Sequence, residues 1–401
     1  MIIKFWGVMI GMIRVVLLGQ GMVATHLAAG LERIRNGEIE PYGVPLANHI
    51  LPYKIEDIEI VASYDVDSNK IGKSLYEVAE KLIGNQVNVP SSLKEIHVRK
   101  GVHLRSLKGL IENTSGLEEK MTLKEACKHL VEEWKEVNAD IIVNVITTEY
   151  AEPFKEISKI VKVIENNDKE KISASQFYAY TAAKYAEETG KNIAFINVIP
   201  TPLANDPAIV QLYSQVNSIV LGDDGATGAT PLTADLLEHL AERNRKVRFI
   251  AQFNIGGNLD FLALTVPEKN IMKERTKSSI VEDILGYDAP HYIKPTGYLE
   301  PLGDKKYVAL HLEYITFNGL VDELFVNVRI NDSPSLAGKL IDLIRLSKIA
   351  AERGLKGTIY EINSFFMKKP GPAGAKSISK ILAYHKMINW LKEIGIIKQE
   401  K

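Results

Sequence analysis

Cysteine is almost absent: Cys127 is alone among 401 residues. A single thiol excludes an internal disulfide and a multi-cysteine metal site, and it points to a reducing, cytoplasmic setting. Neither sign of charge is in excess. Lys+Arg number 49 against 50 Asp+Glu, a net charge of -1, which offers neither the basic footprint of a nucleic-acid binder nor a polybasic membrane patch. No apolar run reaches the roughly 18–20 residues that cross a bilayer. Repeats, low-complexity tracts and long Gly/Ser linkers are also missing. The nine histidines show no metal-ligand spacing, and there is no nucleophile elbow and no P-loop. Residues 1–11, MIIKFWGVMIG, carry one charge and no small-x-small cleavage pattern. They read as an extension before a first strand near Met12, itself an alternative start, rather than as a signal peptide.

What is present is an ordinary globular composition, 46% hydrophobic and 25% charged, long enough for two to three domains. IRVVLL at 13–18 is a continuous apolar run, as in a strand buried on both faces. Further strands are expected at 57–65, 139–146, 192–199 and 216–222, with helices around 70–82 and 122–137 between them. This alternation predicts an α/β fold with a Rossmann-type, doubly wound parallel sheet. After about 245 the texture changes. VRFIAQFNIGG, KYVALHLEYITF and LVDELFVNVRI alternate apolar and polar residues, which predicts an antiparallel sheet covered on one face. Residues from 336 onward and 376–396 are again helical. The expected division is a dinucleotide-binding domain over 12–230, an inserted β-rich α+β domain for catalysis and oligomerisation over 231–335, and helices over 336–401 that return to the first domain.

Gly19-Gln20-Gly21-Met22-Val23-Ala24 fits G-x-G-x-x-A between a strand and a helix. Gly19 allows the tight turn, Gly21 lets backbone approach a pyrophosphate, and Ala24 permits close helix packing. Asp65 closes the second strand, where a carboxylate binds a ribose diol and repels a 2′-phosphate, so the residues favour NAD over NADP. Asp65 lies about twice the usual distance from the glycines; residues 37–56 are therefore read as an insertion. Farther on, Thr230 is a candidate N-cap and Pro231 a first helical residue. Thr227, Gly228 and Thr230 make either a phosphate-monoester site or a capped turn with no ligand. Lys273 and Lys277 are four apart and share a helix face. Buried, they and Lys306 and Lys368 would be tuned for acid/base work; exposed, they are solvated charges.

Together these motifs resemble the 1L-myo-inositol-1-phosphate synthase family in a compact, archaeal-looking form. The pieces are LLGQGMVA, PYGVPL, SQFYAYTAA, GDDGATGAT, FNIGGNLDFLAL, KERTKSS, LGDKK and FFMKKPGP, in the family's order and over nearly the whole chain from about 12 to 375. The resemblance implies that NAD and glucose 6-phosphate bind together and that the sugar phosphate is cyclised to an inositol monophosphate without net redox change, which feeds inositol and phosphoinositide-lipid synthesis. It assigns catalysis to Lys273, Lys277, Lys306 and Lys368. It places Asp224 and Asp332 near the cofactor, with Gly19, Gly21, Met22, Val23, Ala24 and Asp65 holding it. Thr227, Gly228, Thr230, Asn258, Asp260 and Asp304 fall to the substrate, with Gly257 and Gly303 in the same motifs. It also implies a homotetramer formed through the β-rich domain, and a divalent or monovalent cation as an added requirement. Ala226, Ala229 and Ala263 depart from the family pattern K-[ST]-G-[QE]-T and from an asparagine in the G-N-x-D motif, which bears on the exact substrate. An NAD-linked dehydrogenase of a phosphorylated sugar, or a non-catalytic NAD/sugar-phosphate-binding protein, are the alternatives.

Overall fold

The computed structural model describes residues 11–397 except 105, 108 and 109, and except the side chains of Lys277 and Ser278. The extension expected over residues 1–11 lies, apart from Gly11, outside the described residues. Strands β1 (Ile13–Leu18), β2 (Ile58–Asp65), β3 (Val98–Lys100), β4 (Ile141–Asn144), β5 (Ala194–Asn197) and β6 (Ile219–Leu221) form one sheet. Every pairing in it is parallel, in the order β3-β2-β1-β4-β5-β6. The strand order reverses between β1 and β4, as in dinucleotide-binding folds. All residues of β4, β5 and β6 are buried, which accounts for their unbroken apolar runs.

Helices cover both faces. Those interleaved with the strands are α1 (Met22–Arg35), α2 (Leu75–Ile83), α3 (Leu123–Glu136), α4 (Ile157–Glu165), α5 (Ala174–Thr189) and α6 (Pro207–Gln215). Three of them start on a reciprocal cap: Ser74 with Glu77, Thr122 with Glu125, and Ser173 with Gln176. Each pair satisfies two backbone donors at the helix start. After β6 come α7 (Ala229–Ala241), β7 (Lys246–Gly256), α8 (Leu259–Ala263), α9 (Pro267–Leu285), β8 (His291–Tyr298), β9 (Lys305–Ile315) and β10 (Val321–Asn331), then α10 (Asp332–Glu352), α11 (Tyr360–Phe366) and α12 (Lys380–Glu393). α10 packs on α1, and with α11 and α12 it belongs to the core on one face of the first sheet. α3, α5 and α6 form the core on the other. The insertion before β2 runs without helix or strand until a 3-10 turn at Ile55–Asp57, and it is tied down by Asp342, which accepts from the Leu46 amide.

The second sheet has the order β10-β9-β7-β8. β7, β9 and β10 are antiparallel as expected, but β8 runs parallel to β7. The sheet is therefore mixed, and β8 was not foreseen because Pro295 and Gly297 interrupt its sequence. Proline is tolerated there because β8 is an edge strand. One face packs on α7 and α9 through Leu237, Leu240, Ile280 and Val281. Phe253, Tyr292 and Phe325 stay exposed on the other face, where His311 stacks on Phe325 at 4.3 Å.

Trp134 on α3 is fully buried, edge-on to Tyr185 of α5. Trp134→Ala is expected to lower the unfolding free energy by about 3–5 kcal/mol, measured by urea denaturation; a loss under 1 kcal/mol would contradict this packing.

Candidate active site

The carboxyl ends of β1, β4, β5 and β6 open onto one cleft. Gly21, Met22 and Val23 form its first wall, and Val145, Ile146, Thr147, Val198 and Ile199 its floor. The second sheet and its helices supply Asn258, Asp260, Phe261, Lys273 and Lys306; Asp332, Ser333 and Leu336 come from α10, and Lys368 from the segment after α11. A second hollow runs past Gly19 to Asp65, between Val66, Val102, Leu107 and Ile111. The two share Gly21, Val145, Ile146, Thr147 and Leu259, so they make one groove.

At its middle is the glycine turn. Gly19 has φ +95°, and a Cβ there would lie 2.9 Å from the Ile146 Cα, so only glycine fits. Gly21 caps α1 without a side-chain bond, and a Cβ on it would meet nothing within 4 Å. The first N–H groups of α1 have no intrahelical acceptor, and no acidic side chain stands in the first turn. This cradle suits a pyrophosphate. Ala24 is buried below it and packs the helix on the sheet. Asp65 ends β2 as expected. Its carboxylate accepts from the amides of Gln20, Val66 and Asp67, and from Lys70 Nζ at 3.0 Å. The repulsion expected from Asp65 thus acts beside a positive charge.

At the other end the organising group is Asp224, which is fully buried. One carboxylate oxygen accepts from Lys273 Nζ at 3.1 Å and from Lys368 Nζ at 3.0 Å; the other accepts from the Thr276 hydroxyl at 2.6 Å. Burial alone would raise its pKa, but Lys273 and Lys368 hold it well below the usual carboxylate range. For Lys273, burial is outweighed by Asp224 and Asp260, so its pKa lies above that of an ordinary lysine. Lys368 goes the other way: burial lowers it, Asp224 opposes this, and Lys273 and Lys306 push it lower still. Lys306 is buried 3.8 Å from an Asp332 carboxylate oxygen and 5.2 Å from the Phe261 ring centroid. A Cβ on Gly228, whose φ is +66°, would lie 2.8 Å from Lys306 Nζ; glycine lets the ammonium reach the start of α7.

The family model for myo-inositol-1-phosphate synthase matches residues 228–333. The inositol-3-phosphate synthase of Corynebacterium glutamicum is 28% identical over 371 residues, covering 89% of this chain and 93% of that protein. The crystal structure of a myo-inositol-1-phosphate synthase-related protein from Thermotoga maritima is 59% identical, covers 94% of this chain and 98% of that one, and superposes with a TM-score of 0.89. The chain belongs to the myo-inositol-1-phosphate synthase family. A Caenorhabditis elegans inositol-3-phosphate synthase structure, at 16% identity and a TM-score of 0.83 over 97% of this chain and 87% of that one, shares the fold.

Of the residues that the resemblance to the myo-inositol-1-phosphate synthase family singled out, the fold gathers Lys273, Lys306, Lys368, Asp224, Asp260, Asn258, Asp332 and Thr227 in the cleft. Lys277 is one turn beyond Lys273 on α9, and its side chain lies outside the described residues. Asp304, Thr230 and Gly228 do not line the cleft. Asp304 instead accepts from Asn258 Nδ2 and from the Ser333 amide and hydroxyl, holding α8 against α10. The cap of α7 is Gly228, not Thr230, and the helix begins at Ala229. Pro231 therefore sits within the first turn, where its missing N–H costs nothing. The sequence reading passed over Lys70, Thr276, Lys339 and Lys380. Thr276 had a signal, being three residues from Lys273 on one helix. The lysines had none beyond their type.

Lys339 donates to the Ala226 carbonyl, and burial followed by Lys368 pushes its pKa down to about 8. Lys380 donates to the carbonyls of Ser364 at 2.6 Å and Met367 at 2.7 Å; burial and then Lys339 push it down to about 7. An unfolded lysine titrates near 10.4. Between about pH 7 and pH 10 the unfolded chain therefore holds protons that the folded chain has released, and stability rises with pH. The urea midpoint should show this rise from pH 7 to about pH 9, and Lys380→Met should flatten it. An unchanged slope in the variant would contradict a neutral Lys380.

Proposed function

We propose that this protein catalyses the NAD-dependent, redox-neutral cyclisation of D-glucose 6-phosphate to 1L-myo-inositol 1-phosphate in the cytoplasm, feeding inositol and phosphoinositide-lipid synthesis. What supports the reading above all is the Asp224-centred lysine cluster at one end of a glycine-turn groove. NAD, when bound, supplies a hydride acceptor for C5 of the sugar and a donor for its return. The groove is the place for it, with Gly19, Gly21, Met22 and Val23 at the pyrophosphate and Asp65 at the ribose.

A ketone at C5 acidifies the C6 proton, and a base must take it. Lys368 suits that task, because burial and two neighbouring ammonium groups favour its neutral amine. Lys273, held charged by Asp224 and Asp260, stabilises the enolate and then the alkoxide formed as the enolate attacks the C1 aldehyde. Lys277, from the same helix, is assigned to the same catalysis by the resemblance alone. Lys306 and Thr227 take the phosphate, while Gly228 and Thr230 act from behind the cleft by shaping the start of α7. Asn258 and Asp260 face the sugar, while Asp304 acts by holding Asn258. Asp332, at the start of α10, completes the nicotinamide end. The divalent or monovalent cation that the resemblance implies belongs to the same reading, and among the described residues no three His, Cys, Asp or Glu side chains converge on a metal position. The three-part division at 12–230, 231–335 and 336–401 follows the same reading, with catalysis at the junction.

The exposed face carrying Phe253, Tyr292 and Phe325 is assigned to a homotetramer contact. Phe325→Glu should then lower the mass seen in analytical ultracentrifugation; an unchanged tetramer, or a wild-type monomer, would remove the assignment.

Lys273→Met should cut inositol phosphate formation from glucose 6-phosphate by about a hundredfold or more. Calorimetric NAD binding, which rests chiefly on the glycine turn and Asp65, should persist. A variant that cyclises at near wild-type rate would reject the role given to this cluster.

A further inference from the structure

The turn that carries Asp224 and Thr227 into the cleft is pinned almost wholly by backbone. The Asp224 amide donates to the Ile199 carbonyl at 3.0 Å, and the Asp224 carbonyl accepts from the Lys368 amide at 2.6 Å. The Gly225 amide donates to the Val198 carbonyl at 3.0 Å. The Gly225 carbonyl accepts from the Thr227 amide at 2.9 Å, which closes a three-residue turn around Ala226. The Ala226 amide donates to the Phe366 carbonyl at 2.7 Å. The last of these backbone groups, the buried Ala226 carbonyl, is met by a side chain: it accepts from Lys339 Nζ of α10.

α10 meets the turn at two points. Leu336 lines the cleft, and a Cβ on Gly225 would lie 2.5 Å from its Cδ1, so the helix rests directly on the turn. Lys339 stands three residues on, on the same helix face, and passes behind the turn to Ala226. Burial and then Lys368 push its pKa down to about 8, while Asp235 of α7 and Asp332 of α10 act the other way. Lys380 of α12 is a further amine coupled to it. A protonated Lys339 bonds the carbonyl roughly twice as strongly as a neutral amine does. It also sets a positive charge behind Thr227, where a phosphate monoester would bring a charge of about -1.5 to -2. Asp224 does not depend on it, because Lys273, Lys368 and Thr276 hold that carboxylate.

We propose that Lys339 is a positioning residue for the substrate phosphate, holding the Ala226 carbonyl so that Thr227 faces the cleft and backing that place with its charge. This rests on the assignment of Thr227 and Lys306 to a sugar phosphate and deepens it, adding a cation that acts without touching the substrate.

The test is the dissociation constant of glucose 6-phosphate for the full-length protein saturated with NADH, read by titration calorimetry. NADH cannot accept a hydride, so the sugar phosphate binds without turning over. Lys339→Met should weaken binding about tenfold at pH 7, the worth of one charge-assisted bond. The ratio of variant to wild-type constants should then fall below about threefold by about pH 9.5. The wild-type advantage is present while Lys339 holds its proton and is lost as the pH rises past about 8. Lys368, Lys380, Asp235 and Asp332 are common to both proteins, so their own titration acts on both constants. A ratio under about threefold at pH 7 overturns the proposal. So does a ratio that stays constant over this range, which is what a side chain that only fills space would give. Retained NADH binding reports that the variant is folded. Should Lys339→Met lose NADH, Lys339→Gln, which keeps a neutral donor behind Ala226, reads the same ratio against the same limits. If the wild-type protein does not bind glucose 6-phosphate, the reading of the site falls and takes this inference with it. A wild type that binds it, with a ratio unmoved by the substitution, removes Lys339 alone.

Discussion

A carboxylate buried in a protein interior is costly unless opposite charges come with it. Asp224 is fully buried, and the donors it requires come from two distant parts of the chain, the Lys273 ammonium on α9 and the Lys368 amino group after α11. One side chain at the end of the first sheet thereby fixes the helix that covers the second sheet and the segment that closes the C-terminal helices. The chemistry of the cleft follows from this constraint. Two lysine amino groups share one oxygen, so they must lie near each other. Lys273 gains from Asp224 and from Asp260 at 3.6 Å more than burial costs it, whereas for Lys368 burial and the Lys273 and Lys306 charges prevail, so their proton affinities diverge. A pair of like groups driven apart in pKa is what a proton-transfer site needs.

The two ends of the groove rest on different parts of the fold. The glycine turn depends on close contact between backbones, with Gly19 against Ile146, and belongs wholly to the first sheet. The lysine end is composite: α9, β9, α10 and the segment around Lys368 each bring one side of it. Asp304, although it stands outside the cleft, joins α8 to α10 through Asn258 and Ser333. Interactions of this kind carry no charge to the substrate, but they set the distance between the groups that do.

How legible each feature was in the sequence depended on how local its cause is. β1 and the glycine turn could be read because a strand buried on both faces is continuously apolar and a tight turn needs glycine. β8 could not: its partner β7 lies across two helices in sequence, and Pro295 and Gly297 hide it. The start of α7 was read two residues late because Thr230 and Pro231 are good capping residues, whereas the cap is Gly228, chosen by the approach of Lys306. Lys273 stood out by its four-residue spacing to Lys277, with Lys306 and Lys368 as further candidates, but their own pattern left them open between buried acid/base groups and solvated charges, and only the family motifs implied catalysis. Lys70, Lys339 and Lys380 escaped because a lysine seen alone is usually a surface charge, and only the packed chain reveals which ones are buried or paired.

The central claim is that the groove and the lysine cluster act on one substrate in succession, with the hydride returned before the product leaves. Glucose 6-phosphate deuterated at C5, supplied with a catalytic amount of unlabelled NAD and analysed by mass spectrometry, tests it most directly. The account predicts an inositol monophosphate that retains one deuterium, with no reduced cofactor accumulating. Deuterium appearing in free reduced cofactor, in proportion to sugar consumed and without an inositol product, would contradict it and leave a dehydrogenase in its place.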